Sequence, residues 1–223
     1  MSTIERETRE TTIRVTVLRE GGEITVDTTV PFLDHMLLTW ARYAGVGLSL
    51  HARGDLRHHL IEDVAIALGA ALKGAIPATA ARYGHRVIPM DEALVECAID
   101  VGGRYFYEGP IPSTLYDHFM RSFAEHSGST LHLMVLRGTD RHHIVEGAFK
   151  ALGLAIRDAM VDSGAVFSTK GSVSLRHGTA AKGDAKGDAK GDAPGHATGE
   201  QRAADGDPTL GTPSGRGRPG GRR

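Results

Sequence analysis

His58-His59 with Glu62, and His142-His143 with Glu146, are two copies of one pattern. They lie in the segments RGDLRHHLIE (53–62) and RGTDRHHIVE (137–146), which share Arg, Gly, Arg, His, His and Glu at matching places 84 positions apart. Imidazole and carboxylate at this density are metal-ligand chemistry. On a helix, residues i and i+4 share a face while i+1 points about 100° away. His58 and Glu62 can therefore hold one ion and His142 with Glu146 another, the second histidine of each pair being directed elsewhere. If the two helices meet about a pseudo-two-fold, His143 completes the site of His58 and Glu62, and His59 completes that of His142 and Glu146. Mixed sites of this kind suit Mn, Fe or Zn. His35 in PFLDHML and His132 in STLHLMVL are either fourth ligands or ordinary core histidines. His51, His85, His118 and His126 read as structural. A single His-His pair would read as a helix cap; its duplication argues for metal.

Several elements must position these residues. ETTIRVTV (10–17) and GEITVDTTV (22–30) alternate apolar or β-branched with polar residues around Gly21-Gly22, which predicts a β-hairpin. Residues 31–43 have helical spacing, 46–52 alternate as a strand, and the first repeat opens an alanine-rich helix over about 58–76, ended by Pro77. A strand is expected at 90–101. The order then recurs: a helix at about 115–126, a strand at 129–136, and the second repeat opening a helix over about 142–162. Downstream identities such as Ala67-Leu68-Gly69 with Ala151-Leu152-Gly153 extend the match. An internally duplicated α+β domain over 1–177 follows, with halves at about 8–88 and 89–172.

From residue 178 to 223 the chain contains AKGD three times over and then Gly, Pro, Asp and Arg. Nothing there builds a core, so a disordered low-complexity tail is expected. Its eight basic and six acidic side chains nearly balance, which favours a solubilising role over nucleic-acid binding. The whole chain has a formal net charge of −1, giving no general attraction to nucleic acid or anionic membrane. No apolar run reaches the roughly 18–20 residues that span a bilayer, the N-terminus has no secretory pattern, and Cys97 is the lone cysteine. A cytoplasmic protein is the expectation.

Nine segments in order resemble imidazoleglycerol-phosphate dehydratase, the hydro-lyase of histidine biosynthesis: an early RET, PFLDHML (31–37), HHLIED (58–63), RYG (82–84), MDEAL (90–94), GGRYF (102–106), SGSTLH (127–132), HHIVEGAFKA (142–151) and STKG (168–171). The resemblance spans about residues 8–172. It implies two halves, each a four-stranded sheet carrying two helices, and trimers that assemble into a hollow 24-subunit homo-oligomer with active sites at subunit contacts. It implies two Mn²⁺ per active site, one bound by His35, His59, His142 and Glu146, the other by His58, Glu62, His132 and His143. The small-molecule phosphate substrate would be D-erythro-imidazoleglycerol phosphate, dehydrated to imidazole acetol phosphate through a metal-stabilised imidazolate. Glu10 would be the general base or acid. Arg82, Arg104 and Lys170 would hold the phosphate, with Ser168 and Thr169 as donors and Lys150 within reach.

The chain departs from the resembled family in places. The segment between Asp55 and His58 is short, Arg57 and Arg141 precede the histidines where acidic residues are usual, Leu38-Thr39 replaces a common Asp-Gln, and the linker from Arg104 to Asp117 is also short. None removes an expected ligand. Two other readings of the histidines remain: a two-metal phosphoester hydrolase, whose sites are usually richer in aspartate, and a non-enzymatic metal-storage protein.

Overall fold

The computed structural model describes residues 1–166. The expected tail and the phosphate contacts Ser168, Thr169 and Lys170 lie outside the described residues. The first half runs β1 (Ser2–Glu7), β2 (Thr11–Leu18), β3 (Ile24–Asp27), α1 (Pro31–Ala44), β4 (Gly47–Gly54) and α2 (Arg57–Ala75). The second runs β5 (Tyr83–Met90), β6 (Ala93–Asp100), β7 (Phe106–Glu108), α3 (Thr114–Ser127), β8 (Thr130–Arg137) and α4 (Arg141–Ala159). Each half is a four-stranded sheet, ordered β1-β2-β4-β3 and β5-β6-β8-β7, with two antiparallel pairings and one parallel one. The duplication is therefore complete at the level of topology, and the fold is α+β.

The expected hairpin of 10–17 with 22–30 does not form. β2 and β3 lie on opposite sides of β4, the first antiparallel to it and the second parallel. Alternation identifies a strand but not its neighbour. The five residues between β2 and β3 can reach about 16 Å, enough to cross the roughly 10 Å of two strand spacings. Edge strands β1 and β5 were also hidden, since STIERE reads as a charged terminus and YGHRVIPM shows weak alternation. The strand expected from Met90 is instead β6, joined to β5 through Asp91-Glu92, with Asp91 at φ +48°.

Helices of one half pack on helices of the other: α2 on α3 and α1 on α4, while α2 covers β1 and β2 and α4 covers β5 and β6. Trp40 of α1 and Phe123 of α3, fully buried and in equivalent places, meet edge to face with ring centroids 6.0 Å apart. The repeated glycines explain the close helix contact. A Cβ on Gly69 would stand 2.6 Å from the Phe123 carbonyl oxygen, and one on Gly153 would stand 2.8 Å from that of Trp40. Each sheet buries one set of alternate residues, such as Val95, Cys97 and Ile99 of β6 with Leu131 and Leu133 of β8, under the helices. Among the described residues no helix is long and apolar enough to cross a membrane.

Candidate metal centre

The i, i+4 spacing does what the sequence predicts. His142 Nε2 lies 3.2 Å from Glu146 Oε2 across one turn of α4, and His35 Nε2 of α1 lies 3.4 Å from the same oxygen. In the other half His58 Nε2 of α2 lies 3.4 Å from Glu62 Oε2. Its third member is His118 of α3, whose Nε2 is 3.5 Å from Glu62 Oε1. In each trio the ligand atoms lie within 4.8 Å of one another. Ligands held about 2.1 Å from one ion at tetrahedral or octahedral angles stand roughly 3.0–3.4 Å apart. Two imidazoles and a carboxylate at these separations fit a first-row divalent cation.

The Glu146 side chain is only 9% exposed, and Lys150 Nζ lies 2.9 Å from its Oε1. Burial pushes its carboxyl upward, but hydrogen bonds from Lys150 and His35 outweigh that and hold it below the ordinary range. It stays ionised, the state in which a carboxylate can hold a cation. Lys150 also touches the Met90 sulfur at 3.1 Å, so this expected phosphate contact is turned toward Glu146. Leu38 and Thr39 line the cleft that His35, Glu146 and Lys150 share.

The second histidines join neither trio within one chain. His59 Nδ1 lies 2.9 Å from Asp55 Oδ1 and 3.5 Å from Glu10 Oε2. His143 Nδ1 lies 2.6 Å from Glu92 Oε2, and its Nε2 is 3.4 Å from Asp91 Oδ2. Donating to the Asp55 and Glu92 carboxylates raises the two imidazole pKa values. Asp140, not a histidine, caps α4, accepting from the backbone N–H of His142 and His143. His132 sits on β8 between the buried Leu131 and Leu133, so it faces away from the helices and packs on the Phe106 ring with centroids 5.3 Å apart. It is not beside His58 and Glu62; His118 is. The signal for His118 was present in the sequence, since Asp117-His118 repeats Asp34-His35 at a spacing of 83. Asp55, four residues before His59, is legible in the same way, whereas Glu92 and Asp91 meet His143 only in the fold.

Arg82 makes a two-pronged pair with Asp100, Nε to Oδ1 at 3.2 Å and Nη2 to Oδ2 at 2.8 Å. That partner raises the guanidinium pKa further. Arg82 lines a hollow with Lys73, Gly102, Gly103 and Gly128, and among the described residues no histidine borders it. Arg104 is exposed beside it, its carbonyl accepting from Thr130 at 2.7 Å. The cationic hollow and the histidine trios are thus separate features of one chain.

A family model described as imidazoleglycerol-phosphate dehydratase matches residues 28–156. The chain is 44% identical over 182 residues to imidazoleglycerol-phosphate dehydratase of Pyrobaculum aerophilum, covering 74% of this chain and 96% of that protein. It is 41% identical over 192 residues to that of Salinibacter ruber, covering 78% and 95%. The fold is similar to the Pyrococcus furiosus crystal structure of the same name, with a TM-score of 0.69 and 38% identity over 76% of this chain and 100% of that one. The Staphylococcus aureus structure gives a TM-score of 0.64 at 27% identity, covering 73% and 100%. Repeated histidine trios, duplicated topology and sequence identity across nearly the full length of these relatives agree: the chain belongs to the imidazoleglycerol-phosphate dehydratase family of hydro-lyases.

Proposed function

We propose that the chain dehydrates D-erythro-imidazoleglycerol phosphate to imidazole acetol phosphate in histidine biosynthesis, at a dinuclear centre with manganese as the expected metal. Family membership supports the reaction. The observation that carries the dinuclear part is the pair of equivalent trios, His35–His142–Glu146 and His118–His58–Glu62. His59 would join the first and His143 the second, so His118 takes the place that the family resemblance implies for His132. Because His59 and His143 stand apart from the trios in one chain, each would come from a neighbouring subunit. The separation of the Arg82 hollow from the trios supports the same reading, since one substrate must meet both. An assembly of trimers into a 24-subunit particle would supply those contacts. A buried, unpaired Cys97 is compatible with a cytoplasmic setting.

Bound divalent cations supply Lewis-acid stabilisation of negative charge developing on the substrate's ring. The chain does the rest. Glu10, exposed at the turn before β2 and 3.5 Å from His59 Nδ1, moves the proton that leaves carbon. Arg82 and Arg104, with Lys170 and the donors Ser168 and Thr169, hold the phosphate. Lys150 braces Glu146 and borders the cleft into which the substrate would extend.

The deciding experiment reconstitutes metal-stripped protein with Mn²⁺ and supplies imidazoleglycerol phosphate. Two ions per chain and a ketone that retains phosphate are expected. Released inorganic phosphate would point to a hydrolase, and many more ions per chain without turnover to storage.

A further inference from the structure

Glu10 and Glu92 occupy the same place in the two halves. Each is the residue before the second strand, β2 or β6, and each turns its carboxylate toward the second histidine of a repeat. They no longer do the same thing. Glu92 Oε2 is within 2.6 Å of His143 Nδ1, a short hydrogen bond, whereas Glu10 Oε2 is 3.5 Å from His59 Nδ1, beyond a good one. In the first half Asp55 makes the bond instead, at 2.9 Å and one helical turn before His59. Its counterpart in the second repeat is Thr139, which has no carboxylate to offer.

A neutral imidazole that donates Nδ1–H to a carboxylate has one lone pair left, on Nε2. Such partners fix the tautomer, orient the ring and make it a better donor to a metal. The Nε2 of His59 has no hydrogen-bond partner among the described residues, and that of His143 faces the Asp91 carboxylate at 3.4 Å. Among the described residues neither faces a hydrogen-bond donor that would compete with a cation.

We propose that Asp55 and Glu92 are positioning residues that set His59 and His143 to offer Nε2 to a divalent cation. In the first half the task has passed from the turn glutamate to Asp55, which leaves the Glu10 carboxylate to the substrate. The inference rests on the dinuclear reading above.

The test strips the full-length protein with chelator and titrates it with Mn²⁺, following free ion by its electron paramagnetic resonance signal. Wild type should bind two ions per chain. Asp55→Ala and Glu92→Ala should each weaken one of the two by about 10–100-fold and leave the other in place. Asp55→Asn and Glu92→Gln keep an oxygen acceptor and should restore most of that loss, a pattern that general misfolding would not give. Glu92 also accepts from the Thr139 and Asp140 backbone N–H groups, so the Gln variant and the metal-free melting temperature guard against a disturbed loop. If wild type binds two ions and all four variants match it within about twofold, the positioning role is overturned and the dinuclear centre stands. If wild type binds fewer than two, both are overturned.

Discussion

His35 and His118 stand at the same position of α1 and α3, each directly after an aspartate, and each reaches the glutamate of a repeat helix from the other half. His35 Nε2 is 3.4 Å from Glu146 Oε2 and His118 Nε2 is 3.5 Å from Glu62 Oε1. The aspartates serve alike: Asp34 accepts from the Thr28 N–H at 2.9 Å, and Asp117 accepts from the Tyr107 hydroxyl at 2.6 Å and the Ile111 N–H at 3.1 Å. These bonds tie the start of each helix to the chain before it.

His118→Ala should therefore cost one of the two ions, while His132→Ala should keep both. Metal analysis of purified protein after gel filtration decides between them. Loss of an ion only in the His132 variant would restore the ligand set expected from sequence.

Glu10→Gln should leave metal content unchanged and lower turnover by orders of magnitude. Its carboxylate is exposed and sits beside His59 without a close bond to it. Near-normal kcat in a fully loaded variant would remove Glu10 from the proton-transfer role.

Acid should act oppositely on metal-free and metal-loaded protein. In the metal-free form the carboxylates raise the pKa of His59 and His143 above the ordinary value of about 6.5. Such a shift stabilises the fold fully below the unfolded-state pKa, and the gain is lost as pH rises through the folded-state pKa. Chelated protein should thus melt at a higher temperature near pH ~6 than near pH ~8. Loaded protein should do the reverse, because protons displace the ion from imidazole. Thermal melts at both pH values, with chelator and with Mn²⁺, read the two slopes; the same slope in both forms would contradict this.

Gly69→Ala and Gly153→Ala should each destabilise by about 1–3 kcal/mol, the usual cost of overpacking. The added methyl would press on the Phe123 or Trp40 carbonyl oxygen, at 2.6 Å and 2.8 Å. Urea denaturation measures the loss. Unchanged midpoints would show that the helix pairs have room to part.

The repeat pattern made α2, α4 and the facing of His58 on Glu62 and of His142 on Glu146 legible, because helical spacing and side-chain type suffice for them. Strand pairing was not legible: the link after β2 passes across β4, so that β3 pairs with β4 rather than with β2, and no local signal encodes a crossover. Taken alone His118 reads as a structural histidine; only its match to His35, each directly after an aspartate, marks it out. The resemblance implies His132 as a ligand, while strand alternation puts it on the face of β8 opposite the helices within one chain. Asp55 lies one turn before His59, within reach of the same i, i+4 reasoning, whereas Glu92 meets His143 only where the turn before β6 folds against α4.

Because α1 packs on α4 and α2 on α3, neither trio belongs to one half. His35 comes from the first half and His142 with Glu146 from the second; His58 with Glu62 come from the first and His118 from the second. A half-length chain would own all the ligand types and yet assemble no trio alone. Paired with an identical copy about a two-fold axis, it would assemble two identical ones. The interior of this protein is thus built as a homodimer interface made permanent by a covalent link. Once joined, its two copies were free to differ, as Asp55 and Thr139 now do.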